Sequence, residues 1–85
     1  MSGYEIVTGP GVIVDSDITG GSGTDTAFCS AGKKVVGGGY TTNPPKGSAL
    51  VSYPNSNHTW TVTLFVGGLQ GTTLLTAYAI CVFAS

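Results

Sequence analysis

Apolar and polar residues alternate along positions 59–66. Trp60, Val62, Leu64 and Val66 fall on one side, and Thr59, Thr61, Thr63 and Phe65 on the other. A period of two places successive side chains on opposite faces of an extended backbone, so this segment predicts a half-buried strand. The longest apolar run, 72–84, has the same period but a different balance. Leu74, Thr76, Tyr78, Ile80 and Val82 form one row, and Leu75, Ala77, Ala79, Cys81 and Phe83 the other. Both rows are largely apolar, which predicts a strand that is central in its sheet or enclosed in a contact between subunits. Between these strands, Gly67-Gly68 and Gly71-Thr72 predict a hairpin of about five residues.

Shorter strands are expected over 24–29, 35–40 and 49–53, with one or two more within 6–18, broken at Gly9-Pro10-Gly11. The turn chemistry of Asn43-Pro44-Pro45-Lys46-Gly47 and of Pro54-Asn55-Ser56-Asn57 predicts loops, and 17–23 reads as a flexible Gly/Ser loop. Ser30-Ala31-Gly32-Lys33 predicts a turn with Gly32 at positive φ. Three glycines within 35–40 leave that strand without side chains, so Gly37-Gly38-Gly39 implies a bulge or the close approach of another backbone. No segment keeps helical apolar spacing over three turns, and Thr and Gly are poor helix formers. The expectation is an all-β fold, a small antiparallel β-sandwich of jelly-roll-like form in one domain over 24–85. Residues 1–23 form an N-terminal arm and Gly-rich loop that include one or two of the strands.

Composition narrows the function classes. The chain has 85 residues, with 14 Gly, 12 Thr and only seven charged residues, none of them Arg. Charged residues make up 8%, against about a quarter in typical soluble proteins. A net charge of −1 excludes the basic footprint that holds nucleic acid and the polybasic patch that holds an anionic membrane. No run approaches the ~18 apolar residues of a membrane helix, and residues 1–15 lack the pattern of a signal peptide, which leaves two readings of Met1 open: an unprocessed native start, or a chain whose leader has been removed. A core of this size sits near the lower limit for independent stability. Two reinforcements are open to it: a Cys29–Cys81 link, or burial against copies of itself. The low charge favours the second.

Catalytic chemistry finds little support. The single His58 lies in a predicted loop, and although Ser52 and Ser56 are near it in sequence, Ser is common in this chain, so a solvated loop histidine is expected and not a member of a triad. No paired carboxylates share a strand face, and Gly37-Gly38-Gly39 does not lead into a helix as a phosphate loop does. Two Cys and one His cannot close a zinc site. Asp15-Ser16-Asp17-Ile18-Thr19-Gly20 resembles the start of a calcium loop, but Thr26 stands where the bidentate Glu belongs, so an acidic turn is expected. No metal or cofactor is predicted. Cys29 and Cys81 each have a small neighbour, Ala27 and Ala79, which leaves two readings open: a disulfide across paired strands, or two packed thiols. A bridge would close a loop of about fifty residues and stabilise by roughly 4 kcal/mol. Asn57-His58-Thr59 is a formal glycosylation acceptor, relevant only in a eukaryotic secretory route.

Five elements in order carry a resemblance: Cys29-Ser30-Ala31-Gly32-Lys33-Lys34-Val35-Val36-Gly37-Gly38-Gly39-Tyr40, then Ser52-Tyr53-Pro54, then Trp60-Thr61-Val62, then Thr76-Ala77-Tyr78, closed by Ala79-Ile80-Cys81. Over about residues 24–84 the chain resembles small extracellular β domains of bacteria and phages, departing from their pattern at Ser30, where Pro is usual. The resemblance supports the Cys29–Cys81 bridge and an oxidising destination, and implies no catalytic residues. A free-standing domain of this kind resembles a phage head-decoration or fibre-knob protein. That implies a non-enzymatic protein at the virion surface, a homotrimer bound to a major capsid or fibre protein, with Tyr4, Ile6 and Val7 in the docking arm. The alternative expectation is a secreted module that binds carbohydrate or cell wall, in which Tyr40, Tyr53 and Trp60 (with Tyr78) form a sugar-stacking platform. Against it, Trp60 shares its row with Val62 and Leu64 and is expected in the core.

Overall fold

Alternating β-branched and aromatic residues build seven strands among the described residues: β1 (Ser2–Thr8), β2 (Val12–Ser16), β3 (Gly21–Phe28), β4 (Lys33–Asn43), β5 (Ser48–Ser56), β6 (Thr59–Val66) and β7 (Gly71–Phe83). The computed structural model describes residues 2–83; Met1 with its two readings, and Ala84 at the end of the expected last strand, lie outside the described residues. Strand accounts for 77% of the structure, and the described residues contain no helix. The strands form two antiparallel sheets packed face to face, as the period-two pattern predicts.

Strand β7 organises the four-stranded sheet. One of its edges pairs with β4 from Asn43 opposite Leu74 to Lys33 opposite Phe83. Its other edge is shared: β1 covers the stretch from Phe83 to Tyr78, and β2 covers Leu75 to Gly71. Both run antiparallel to β7, so residues 2–16 act as one edge strand interrupted at Gly9-Pro10-Gly11. The second sheet has the order β3-β6-β5.

The core lies between β6 and β7. Val62, Leu64 and Val66 face Leu75, Ala77, Ala79 and Cys81, with Val14 and Ala27 beside them, all buried. Each large aliphatic side chain removed from water contributes about 1.5–3 kcal/mol. Trp60 packs against this cluster and lies over Gly38 of β4, where a Cβ would sit 2.4 Å from the indole ring. The glycine run therefore carries the expected irregularity, a register shift between Val35 and Gly37, while the closest approach at Gly38 is made by the Trp60 side chain and not by a backbone.

Several expectations are corrected. The segment 67–70 is not a hairpin loop, because β6 and β7 lie in different sheets. It crosses between the sheets, held where Leu69 N–H donates to Asp17 C=O (2.8 Å) and Gln70 N–H donates to Ser16 Oγ (2.9 Å). Periodicity identifies a strand but carries no information about which strand it pairs with. Gly21, Ser22 and Gly23, expected in a loop, belong to β3 and pair with Val66, Phe65 and Leu64. The loop expected at 54–57 shrinks to the two-residue turn Asn57-His58, since β5 continues through Pro54 by means of an irregularity between Tyr53 and Ser56. Pro lacks a donor but is tolerated on an edge strand. The turn at 30–33 forms as expected, with Gly32 at φ 82° and Lys33 N–H donating to Ser30 C=O.

Candidate functional site

The outer face of the four-stranded sheet is the most distinctive surface. Residues opposite each other in an antiparallel pair project to the same side, so the row Leu74, Thr76, Tyr78, Ile80 of β7 gains neighbours from both flanks. On one flank Ile6 stands beside Ile80, Thr8 beside Tyr78, and Ile13 beside Leu74. On the other, Gly37 stands beside Ile80, Gly39 beside Tyr78, and Thr41 beside Thr76. Ile6, Thr8, Thr41, Thr76, Tyr78 and Ile80 line a shallow trough of about 460 Å³ without a charged side chain. Ile13 is 62% exposed and Leu74 39%, so the apolar surface continues past the trough at the Leu74 end. Charge appears only at its limits, with Asp15 beside Thr72 and Lys34 beside Val82.

At the Lys34 end, Cys29 and Cys81 form a disulfide with Cα atoms 5.8 Å apart. It does not join paired strands: Cys29 follows β3 in one sheet and Cys81 lies in β7 of the other, so the bridge ties the two layers together. Beside it, the segment 29–34 and Asn57-His58 surround an open cleft of about 380 Å³. Lys33 is already engaged there, 3.2 Å from Glu5 Oε1 and 5.0 Å above the Phe83 ring. Hydrogen bonding from Ser30, and then from Lys33, holds the Glu5 carboxyl below its ordinary range. His58 Nδ1 lies 2.9 Å from Asn57 Oδ1 and 3.4 Å from Ser56 Oγ, on the exposed turn. Ser56 Oγ also lies 2.6 Å from Thr59 Oγ1, so this hydroxyl is shared within the turn.

The acidic turn behaves as one. Asp17 Oδ1 accepts from both N–H and Oγ1 of Thr19 at 2.8 Å, which keeps its carboxyl below the usual range. Among the described residues no three His, Cys, Asp or Glu side chains gather as metal ligands.

The residues expected in a docking arm are not on a free arm. Tyr4, Ile6 and Val7 belong to β1, which is hydrogen-bonded to β7. Val7 packs on the core, while Tyr4 and Ile6 remain exposed. Nor does β3 respect a boundary at residue 23, since it runs unbroken from Gly21. The three rings of the expected sugar platform do not share a face. Trp60 points into the core and donates from Nε1 to Ser52 Oγ at 3.1 Å. Tyr53 is opposite Thr61, on the other face of the same sheet. Tyr40 is opposite Ala77, in the inward row of β4.

Sequence reasoning overlooked Asp25. It is buried in β3, and its Oδ2 accepts the N–H of Ala77 in the opposite sheet at 2.8 Å. One signal was available: an acid at an inward position, between Gly23 and Ala27. It also overlooked the hydroxyl pairs of the outer face, Thr24 with Thr63 at 2.8 Å and Thr26 with Thr61 at 3.0 Å, which follow from period-two threonines on neighbouring strands. The chain matches no family model, no curated protein and no solved structure, so its function is argued from its own geometry.

Proposed function

We propose that this chain is a non-enzymatic component of a virus particle surface, a capsid-decoration or fibre-tip domain that assembles with copies of itself and docks on a larger particle. One observation carries the assembly half of this reading: the uncharged, partly exposed apolar face over β1, β7 and β4. A solvated face of an antiparallel sheet normally carries polar residues, and contiguous apolar surface marks a contact. The particle half rests on the resemblance of residues 24–84 to phage and bacterial surface domains. The Cys29–Cys81 bridge suits an oxidising exterior. The carbohydrate alternative loses its main ring, because Trp60 packs on the core.

The test is mass spectrometry of purified virus particles from cultures that produce the chain. Recovery of the oxidised protein in a fixed ratio to the major capsid or fibre protein is expected. Recovery only from the particle-free fraction would overturn the reading.

A further inference from the structure

The ends of the molecule carry opposite charge. At the Gly71 end of β7 lie Asp15 and Asp17 with Lys46, whose ammonium donates to the Gln70 carbonyl. At the Phe83 end lie Lys33 and Lys34 with Glu5. Between them the outer face of the four-stranded sheet is apolar and uncharged, along a molecule whose Cα atoms span 49 × 18 × 15 Å.

We infer that this face binds the same face of a second copy about a two-fold axis crossing the strands, so that Asp15 of each chain meets Lys34 of the other. The inference rests on the self-association proposed above and names its surface, symmetry and orientation.

Three observations carry it. The first is area. A sheet three strands wide whose central strand β7 has 13 residues covers about 14 by 43 Å, or roughly 600 Å², the lower end of the roughly 600–1,000 Å² that each partner contributes to a stable interface. The second is charge. Apposing two such faces with parallel strands would set Lys34 over Lys34 and Asp15 over Asp15. Reversing one copy sets unlike charges together at both ends. Exposed pairs of this kind add little affinity but select the orientation. The third is geometry. Asp15 flanks β7 on the β2 side and Lys34 flanks it on the β4 side, ten residues apart in β7 register. With strands ~4.8 Å apart and ~3.3 Å per residue, superposing the two charges turns the copies roughly 30° from antiparallel, the magnitude common in aligned sheet packing. The axis then passes near Thr76 and Tyr78, the middle of the apolar trough. Two copies close this face, in place of the three that the resemblance implies.

Sedimentation equilibrium of the oxidised full chain at micromolar concentration tests this. A mass twice the 8.5 kDa of the chain is expected. Ile6→Glu, at an exposed position, should weaken dimerisation at least tenfold while the near-ultraviolet circular dichroism is unchanged. Asp15→Lys and Lys34→Asp should each weaken it at low salt, and the double variant should restore it. A monomer, a trimer, or a dimer insensitive to Ile6→Glu or not restored by the double exchange would overturn the inference. A trimer recovered in purified particles would overturn it and leave the proposed function standing, whereas a monomer recovered there would overturn it together with the self-assembly half of that reading.

Discussion

Asp25 shows why an acid sits in the middle of this core. Where the edge strand breaks at Gly9-Pro10-Gly11, Gly9 N–H still donates to Ala77 C=O at 2.9 Å, but the Ala77 N–H has lost the strand that would accept from it. A buried unpaired N–H is costly, and Asp25 Oδ2 reaches across from the other sheet to accept it. Room for the carboxylate comes from Gly9, where a Cβ would lie 2.5 Å from that oxygen. Asp25→Ala should therefore destabilise by about 1–3 kcal/mol, and Asp25→Asn, which retains an acceptor oxygen, by less, read from urea unfolding of the oxidised protein. Gly38 offers a second test. Gly38→Ala would press a methyl onto the Trp60 ring and the Tyr78 carbonyl, whereas at Gly37 the nearest atom is Ile80 Cδ1 at 3.5 Å. The expected loss is about 1–3 kcal/mol for Gly38→Ala and little for Gly37→Ala, checked by thermal unfolding. The glycine run was legible as a place of close approach. Which atoms approach was not, because Trp60 and Tyr78 reach Gly38 from strands 22 and 40 positions away in the sequence.

At the scale of elements, strand existence was more legible than strand partnership. β6 runs from Thr59 to Val66 as its alternation predicts, and β7 differs by a single residue at its start. The crossing at 67–70 has the sequence pattern of a hairpin, since two glycine-rich joints between apolar strands look alike whether the chain folds back in one sheet or passes to the next. The disulfide follows the same rule: the cysteines were identifiable, but their role as a tie between sheets depends on β3 and β7 lying in different layers. Reduction, or Cys29→Ser with Cys81→Ser, should lower stability by up to roughly 4 kcal/mol, measured by denaturant unfolding, with peptide mapping under non-reducing conditions to confirm the bond. At the same end, Glu5, Ser30, Lys33 and Phe83 clasp β1, β4 and β7. Because the folded Glu5 carboxyl titrates below its unfolded value, the clasp contributes fully above the ordinary glutamate range and is lost as pH falls through the folded value. Melting temperature should drop below about pH 4, and Glu5→Gln should flatten part of that acid dependence while leaving Asp17 to account for some of the rest.

For the whole molecule, most neighbouring residues are distant in sequence, because β7, the last strand, is the one that β1, β2 and β4 all require. The chain must close long loops before its central sheet exists, so refolding of the oxidised protein should fall in the millisecond-to-second range, measured by stopped-flow Trp60 fluorescence. A transition in microseconds would show that the central sheet is not the slow step. Sequence by itself determined the class of fold, the positions of β6 and β7, the net charge of −1 and the pair of cysteines available for a bridge. These follow from local periodicity and from counting, which need no knowledge of what lies across a contact. The tertiary structure decided that residues 2–16 form the interrupted edge of β7, that Asp25 completes the break in that edge, that Trp60 lies over Gly38, and that one row of β7 faces outward without cover. Those outcomes depend on pairings between distant segments, and a period-two pattern specifies which side of a strand is apolar without specifying what will be brought to meet it.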